Sequence, residues 1–282
     1  MKILTLKSPL KNKLDRLKTP VGEIMYMGKD PNDLINKRVV AIVGSRKPTP
    51  YGKQVTEQLA TELSRAGVVI VSGLAFGVDI IAHKAVLACG GQTIAVLASG
   101  LDNIYPASHA RYAKQITELG SVISEYTSDH MPRSYDFLER NRIIAALCDL
   151  IIIPEATEKS GSLNTANHAK SMNIPICAVP GPINSPLSSG TNLLIKQGAH
   201  LITSYQDVLK LLNIKPEAIQ LTLTGGNETE TLVLQAIAGG IQDMSLMEQE
   251  TSLSTKDLQT SLTMLEISGQ IQQDAVGLWH LS

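Results

Sequence analysis

Five short apolar runs restrict the possible folds of this chain more than any other feature. They are rich in valine, isoleucine and alanine and fall at residues 38–44, 67–73, 92–100, 149–156 and 174–181. None of them alternates polar with apolar residues, which predicts strands that are covered on both faces, as in a parallel sheet. Helical patterns, such as residues 52–67, separate the runs. We therefore predict an α/β fold with a Rossmann-like, doubly wound and mostly parallel sheet.

Length and pattern divide the chain into four parts. The 282 residues, 43% of them hydrophobic, suffice for a large domain and a small one. We predict a short N-terminal extension over residues 1–37, a Rossmann-like domain over 38–214, a linker over 215–227 and a small domain over 228–282. The last part has the pattern of a helix, a turn, a helix and a short hairpin, which predicts a winged-helix-like module.

Charge is distributed unevenly along the chain. The net charge is −1, but the segment from Leu221 onward contains one basic residue, Lys256, and eight acidic residues. That segment therefore carries −7, and the residues before it carry +6. Because an anionic surface repels phosphate, we expect any site for a polyanion in the first part of the chain.

Cysteine usage and the N-terminal residues indicate the compartment. Cys89, Cys148 and Cys177 stand singly in apolar segments, which is typical of reduced core residues. Lysines interrupt the N-terminal residues, so no signal peptide is predicted, and no apolar run is long enough to span a membrane. We expect a cytoplasmic protein without a membrane partner.

The loops that follow the predicted strands concentrate small and basic residues. These loops leave the carboxyl edge of the sheet, where open α/β folds bind ligands, and small residues or a helix N-terminus there expose N–H groups to an anion. The candidate phosphate ligands are Gly44, Ser45, Arg46, Gly73, Gly77, Arg140, Asn141, Arg142, Ser160, Gly161 and Ser162. Each glycine taken singly also fits a turn or packing role, and the arginines also fit a solvated helix start.

The motifs of several catalytic and cofactor-binding classes are missing. The sequence contains no GxGxxG, GxxxxGK[ST], HExxH or GxSxG, and no His/Cys cluster with metal-ligand spacing. His83, His109 and His168 fit helix-surface or core positions, and Asp79 and Asp102 fit helix caps better than an acid/base pair. We therefore predict no cofactor, no metal ion and no catalytic group.

Seven ordered segments, which cover roughly residues 20–212, carry a family resemblance. They read GSRKPTPYG (44–52), SGLAFGVDIIAH (72–83), GLDNIYP (100–106), FLERNRIIAALCD (137–149), PEATEKSGSLNTA (154–166), AVPGPI (178–183) and SSGTNLLIKQGA (188–199). Together they resemble the successive motifs of the DNA-processing protein A family, also called DprA or Smf. Seven motifs in order are far more specific than any one of them.

The resemblance implies a Rossmann-like domain that binds single-stranded DNA without catalysis, usually as a homodimer. Members of the family protect incoming DNA during natural transformation and help to load the RecA recombinase. Carried over by motif, Gly44, Ser45 and Arg46 would grip a backbone phosphate, and Ser160 to Ser162 would donate N–H groups. Positive charge would come from Arg140, Arg142 and Lys159.

The sequence departs from the family pattern in two places. Members commonly carry an N-terminal helical domain, whereas about 37 residues precede the first predicted strand here, which is too few for such a domain. Leu138 stands where a proline is usual before the RNR triplet. Phe76 occupies a variable position, where it is a candidate either for stacking on a base or for core packing.

Two rival functions compete with DNA binding. The sheet and its glycine loops also resemble the lysine-decarboxylase-like, or LOG, family, which cleaves the base from nucleoside monophosphates with a PGGxGTxxE segment. The counterpart here has no carboxylate between Ser160 and Lys170, and Glu155 is the remaining candidate. The second rival is a sensor of a free nucleotide, because its phosphate needs the same donors as a DNA phosphate.

The C-terminal module does not have the charge of a duplex-binding domain. Its predicted recognition helix sets Lys256 against Asp257 and Glu266. We therefore expect a protein-contact or regulatory role for it, such as covering the DNA crevice when no DNA is bound.

Overall fold

The computed structural model describes residues 1–214, 226–274 and 277–281 and divides the chain into two compact units, Met1–Pro216 and Glu217–Ser282. Most of the predicted linker, residues 215–227, lies outside the described residues.

Within residues 1–214 the first unit is built on a single sheet of nine strands. Their spatial order is β1-β2-β6-β5-β4-β3-β7-β8-β9. The strands are β1 (Lys2–Ile3), β2 (Met25–Gly28), β3 (Val39–Ile42), β4 (Val69–Ser72), β5 (Thr93–Val96), β6 (Ser121–Ser124), β7 (Leu150–Ile153), β8 (Ile176–Ala178) and β9 (His200–Leu201). The neighbours from β6 to β9 all pair in parallel, and only β2 and β1 join antiparallel.

Helices cover both faces of this sheet. The described helices of the first unit are α1 (Leu10–Leu14), α2 (Pro31–Ile35), α3 (Pro50–Arg65), α4 (Val78–Ala88), α5 (Ala110–Leu119), α6 (Asp136–Leu147), α7 (Gly161–Ser171), α8 (Pro186–Lys196) and α9 (Tyr205–Leu211). Helices α1, α2, α6, α7 and α8 pack on one face, and α3, α4, α5 and α9 pack on the other. The predicted doubly wound, mostly parallel α/β fold is confirmed.

Strand β3 shows why the apolar runs do not alternate with polar residues. Val39 and Ala41 belong to the core on one face, whereas Val40 and Ile42 belong to the core on the other, and all four are fully buried. Each valine or isoleucine that is removed from water in this way contributes about 1.5–3 kcal/mol. A polar residue at any of these positions would lose its hydration without gaining a partner.

The topology creates a crevice beside β3. From β3 the chain builds outward through β4, β5 and β6, and then it returns to place β7 on the opposite side of β3. The connections after β3 and β7 therefore diverge to opposite faces at the carboxyl edge. Such a switch point is where open α/β sheets bind ligands.

The N-terminal residues are part of the sheet. β2 pairs with β6, and Leu4, Ile24 and Tyr26 are buried in the core of the first unit. The predicted extension over residues 1–37 thus completes the edge of the sheet at β6, and its boundary with the Rossmann-like domain stays a prediction. Strand β6 itself was not among the predicted strands, since its four residues, SVIS, include two serines.

The second unit contains three described helices and a two-stranded antiparallel sheet. These are α10 (Glu228–Ala238), α11 (Met244–Thr251), α12 (Thr255–Ile267), β10 (Ile271–Gln273) and β11 (Trp279–Leu281). Its core includes Val233, Met247, Leu262 and Trp279. Helices followed by a hairpin agree with the predicted order of elements, and the assignment to the winged-helix class stays a prediction.

We find no candidate for a membrane span among the helices described: none combines the necessary length with sufficient apolar character.

Candidate nucleic-acid interface

A cleft of about 500 Å³ opens at the carboxyl edge, at the switch point between β3 and β7. Eight of the twelve candidate residues line it, namely Gly44, Ser45, Arg46, Arg140, Asn141, Ser160, Gly161 and Ser162. The other four, Gly73, Gly77, Arg142 and Lys159, are not among its lining residues. The cleft is also lined by Val43, Lys47, Ala75, Asp79, Phe137, Leu138, Thr157 and Thr165.

The loop after β3 has a fixed backbone and free cationic side chains. The N–H of Ser45 donates to the carbonyl of Glu155 at 2.8 Å, and the N–H of Val78 donates to the carbonyl of Ser45 at 3.0 Å. The side chains of Arg46 and Lys47 are exposed, and neither forms an ion pair within the part of the chain that the structure describes. Their charges are therefore available to a ligand.

Two glycines let neighbouring chain segments approach this loop. A Cβ on Gly44 would come within 2.8 Å of both the Glu155 carbonyl oxygen and a Val78 methyl group. Gly77 has a φ of +76°, and a Cβ there would overlap the Ser45 carbonyl oxygen. Gly77 thus supports the loop from behind without lining the cleft, because only glycine fits both the backbone angle and the space.

Glu155 holds the other end of the same loop. Its carboxylate is buried and accepts hydrogen bonds from the N–H of Thr49 at 2.8 Å and from the Thr49 hydroxyl at 2.5 Å. Thr49 in turn caps α3, because its hydroxyl accepts from the N–H of Gly52 at 3.1 Å. Both oxygens of Glu155 are therefore engaged in shaping the loop.

The start of α7 forms the opposite wall of the cleft. Ser160 is its N-cap, and its hydroxyl lies 3.3 Å from the N–H of Ser162 and 2.7 Å from the Ser162 hydroxyl. Gly161 is open toward the cleft, with only a Leu138 methyl group 4.0 Å from where its Cβ would be. An eleven-residue helix presents partial positive charge at this end, which favours an anion.

Arg140 is a buried cation beneath the cleft. It donates to the carbonyl oxygens of Gly73, at 2.7 Å, and of Val96, and it is only 3% exposed. Burial lowers the pKa of Arg140 to about 10, although the nearby Asp79 carboxylate opposes this shift, so the guanidinium stays charged at neutral pH. Burial likewise raises the pKa of Asp79 above its ordinary value. Arg140 therefore contributes positive potential and supports the wall, but its guanidinium is not an exposed fork.

Arg142 is directed away from the cleft. Its guanidinium forms an ion pair with Glu125, and its Nε lies 3.6 Å from a carboxylate oxygen of Glu139. Both arginines lie inside α6, which begins at Asp136, so their expected position at a helix start is wrong. Residues 136–139, which precede Arg140, form the first turn of α6. Lys159 is exposed beside Ser160, outside the lining of the cleft.

With this geometry in place, comparison with known proteins decides the family. The profile of the family described as DNA recombination-mediator protein A matches residues 4–213. The chain belongs to this family.

Relatives within the DNA recombination-mediator protein A family include a DNA processing protein DprA and a protein Smf. The former, from Streptococcus pneumoniae, is 44% identical over 186 residues, which cover 66% of each chain. Protein Smf from Escherichia coli is 35% identical over 242 residues, 82% of this chain and 65% of the relative. The chain thus spans just under two thirds of the length of these relatives.

A solved structure of DNA processing protein A from Helicobacter pylori is also similar. It is 39% identical, has a TM-score of 0.68, and the match covers 75% of this chain and 95% of that one. That study concerns the single-stranded DNA binding mode of the Helicobacter pylori protein. The family profile, which matches residues 4–213, includes every residue that lines the cleft.

The cleft also contains residues that sequence reasoning did not select. Phe137 is the most informative of them, because its ring lies 5.2 Å from the Arg46 guanidinium carbon and 5.5 Å from the centroid of the Tyr105 ring. A signal for it existed, since Phe137 is in one of the family motifs and precedes Arg140 by three residues, about one turn of α6. Lys47 adjoins Arg46 and adds a second exposed charge.

The histidines take structural positions, as expected. His83 is fully buried, and its Nδ1 lies 2.8 Å from the Thr93 hydroxyl. His109 places its Nδ1 2.8 Å from the carbonyl of Leu74. Among the described residues, no group of three or more His, Cys, Asp or Glu side chains is arranged to hold a metal ion.

Proposed function

We propose that this protein binds single-stranded DNA in the cleft at the β3–β7 switch point and does not transform it chemically. One observation carries the proposal: two exposed cations, Arg46 and Lys47, face the N-terminus of α7 across a single open cleft. The single-stranded DNA binding of the Helicobacter pylori family member supports the same ligand.

The chemistry of the cleft suits a sugar-phosphate backbone. Exposed cations and helix N–H groups bind phosphate whatever the base sequence, and Phe137 supplies an aromatic face on which a base can stack. An open cleft leaves room for a chain that continues in both directions. A protein that protects or delivers DNA of any sequence requires these properties.

The position of Glu155 argues against a nucleotide-cleaving enzyme. Both oxygens of its carboxylate accept hydrogen bonds from Thr49 and are buried away from a ligand. A general acid or base must reach the reacting atom within hydrogen-bond distance, and this carboxylate already has partners. Incubation with AMP and CMP is expected to release no free base.

The test of the proposed function is binding of labelled oligo(dT) across a salt series. Arg46→Ala removes one phosphate contact, so the affinity is expected to fall and the slope of log K against log salt to decrease by about 0.7. Lys210→Ala, on the exposed surface of α9, is the matched control and is expected to bind like the wild type. An unchanged affinity and slope in Arg46→Ala would contradict the proposal.

A free nucleotide is the second candidate ligand, because the start of α7 would bind its phosphate equally well. Competition separates the two ligands. If AMP or CMP displaces labelled oligo(dT) only at concentrations far above that of an unlabelled oligonucleotide, the polymer is the ligand that the cleft selects.

The wider role that we propose is protection of incoming DNA in natural transformation and assistance in loading RecA, in the cytoplasm and as a homodimer. Support for the homodimer comes from exposed apolar residues: Leu201 is exposed in β9, the last strand of the sheet, and Leu211 is exposed at the end of α9. Light scattering on wild type and Leu211→Glu tests this assembly. Displacement of a single-strand-binding protein from DNA by RecA, with and without this protein, tests the loading step.

For the C-terminal unit we propose a protein-contact or regulatory role. Its single basic residue is Lys256, the second residue of α12, two residues after the N-cap Ser254. Lys256→Ala in the full chain is expected to leave binding of duplex DNA unchanged. A marked loss of duplex binding in this variant would overturn the proposal.

A further inference from the structure

The ring of Phe76 is exposed but held in place. It is 48% exposed and belongs to one of only two phenylalanines in the chain. It packs against the His109 ring in a T-shaped arrangement, with centroids 4.9 Å apart and an interplanar angle of 70°. His109 is buried and bonded to the carbonyl of Leu74, so it forms a rigid support. An exposed ring that is fixed in this way has lost conformational freedom without gaining full burial, which favours a ligand on its free surface.

Tyr112 and two cationic side chains, Arg111 and Lys84, follow His109 in this row. The ring of Tyr112 lies 6.4 Å from that of His109. The Arg111 guanidinium carbon lies 4.5 Å from the centroid of the Tyr112 ring, and the Lys84 ammonium nitrogen lies 5.7 Å from it. Both cations are exposed, and within the described ranges neither belongs to an ion pair.

This row of side chains begins next to the cleft. Phe76 is flanked by Ala75, which lines the cleft, and by Gly77, which packs against the backbone of Ser45 and Arg46. Helices α4 and α5, which carry the two cations, both begin at the same carboxyl edge of the sheet. The row therefore starts beside the cleft at the carboxyl edge and leads along α4 and α5, in which Lys84 and Arg111 lie.

We propose that Phe76, His109, Tyr112, Lys84 and Arg111 form a lateral path, a second subsite for the same single strand of DNA. This inference rests on the proposed function. A base stacks on Phe76, and the following phosphates meet Arg111 and Lys84, which combines the two features that bind single strands without sequence preference. Glu118, in the groove beyond Tyr112, repels phosphate and marks the end of the path.

The first test uses thymidine oligonucleotides of increasing length. The shortest that binds fills the cleft alone, and longer ones also reach the lateral path. Phe76→Leu, which keeps the packing on His109 but lacks the aromatic face, is expected to weaken the longer oligonucleotides about tenfold and to leave the shortest unaffected. Phe76→Trp restores a stacking surface and is expected to bind the longer oligonucleotides like the wild type.

The second test removes the two cations together. In Lys84→Gln/Arg111→Gln the salt slope for the longer oligonucleotides is expected to fall by about 1.4, because two phosphate contacts are lost. Lys210→Gln is the control for a change of surface charge elsewhere. Circular dichroism melting of each variant verifies that the fold is retained.

The results separate this inference from the proposed function. If the variants of the lateral path bind all lengths like the wild type, or weaken the shortest oligonucleotide as much as the longest, the lateral path is refuted while binding in the cleft stands. If the wild type binds no oligonucleotide of any length, both proposals fail.

Discussion

The carboxylate of Glu155, at the end of β7, accepts hydrogen bonds from both the backbone N–H and the hydroxyl of Thr49, at 2.8 Å and 2.5 Å. This relationship joins the two loops that border the cleft across the switch point. It also places a negative charge at the start of α3, where the helix dipole stabilises it. Glu155 was a candidate catalytic residue in the sequence, and in the structure its role is to hold the two loops together.

Glu155→Ala is expected to reduce both stability and DNA affinity. The substitution leaves two donors of Thr49 without their partner, which costs about 1–3 kcal/mol of unfolding free energy, and it releases the loop that carries Arg46. Urea unfolding and oligo(dT) binding measure the two effects. Glu155→Gln keeps one acceptor oxygen and is expected to lose less of each. A variant Glu155→Ala that binds oligo(dT) like the wild type would show that the cleft does not depend on this contact.

Gly77→Ala is expected to destabilise the protein by more than the same substitution at Gly90. Gly77 and Gly90 both have positive φ angles, +76° and +69°, but a Cβ on Gly90 meets nothing within 4 Å, whereas one on Gly77 overlaps the Ser45 carbonyl. Gly90→Ala therefore measures the cost of the backbone angle alone, on the order of 1 kcal/mol. The excess for Gly77→Ala measures the close approach to the loop together with the ψ of −127° at Gly77, and it should be accompanied by weaker DNA binding. Equal stabilities of the two variants would contradict this explanation.

Acidification is expected to destabilise the first unit through His83. Burial lowers the pKa of His83 to about 3, below its ordinary value of 6.5, so the unfolded chain binds the proton that the folded protein excludes. The stability that the neutral ring contributes is present above pH 6.5 and is lost progressively as the pH falls toward 3, by about 1.4 kcal/mol per pH unit.

The measurement for His83 is urea unfolding at pH 7 and pH 5.5, followed by circular dichroism. The wild type should lose about 1 kcal/mol more than His83→Gln between these values. His200→Gln, at an exposed histidine, should lose as much as the wild type. If the wild type and His83→Gln respond equally to pH, His83 does not carry the effect.

Arg142→Ala is expected to lower stability without changing the salt dependence of DNA binding. Removal of one partner leaves Glu125 in a largely buried position without its ion pair, a loss of about 3 kcal/mol. The salt slope for oligo(dT), measured at a temperature where the variant is folded, should equal that of the wild type, in contrast to Arg46→Ala. A reduced slope would place Arg142 on the DNA after all.

Local pattern was sufficient for most of the framework. The five apolar runs became β3, β4, β5, β7 and β8, because a strand that is buried on both faces needs apolar residues at every position. The prediction that the loops after these strands lie at one edge of the sheet is confirmed, because the strands pair in parallel. Ser160 was correctly placed before a helix, since a serine N-cap is a local signal.

Long-range pairing decided the rest. The N-terminal strands joined the sheet through β6, whose serine-containing sequence carries a weak strand signal. Periodicity reports which face of an element is apolar, but it does not report which distant groups a buried side chain meets.

By itself, then, the sequence determined the class of the fold and the edge of the sheet at which the candidate residues lie, because both follow from the order of strands and helices along the chain. Only the tertiary structure decided which cations stay exposed at the cleft: Arg140 bonds to the carbonyls of Gly73 and Val96, and Arg142 pairs with Glu125. The physical reason is that a charged group removed from water needs a partner, and the partner is supplied by elements that are adjacent in space, often far apart along the chain.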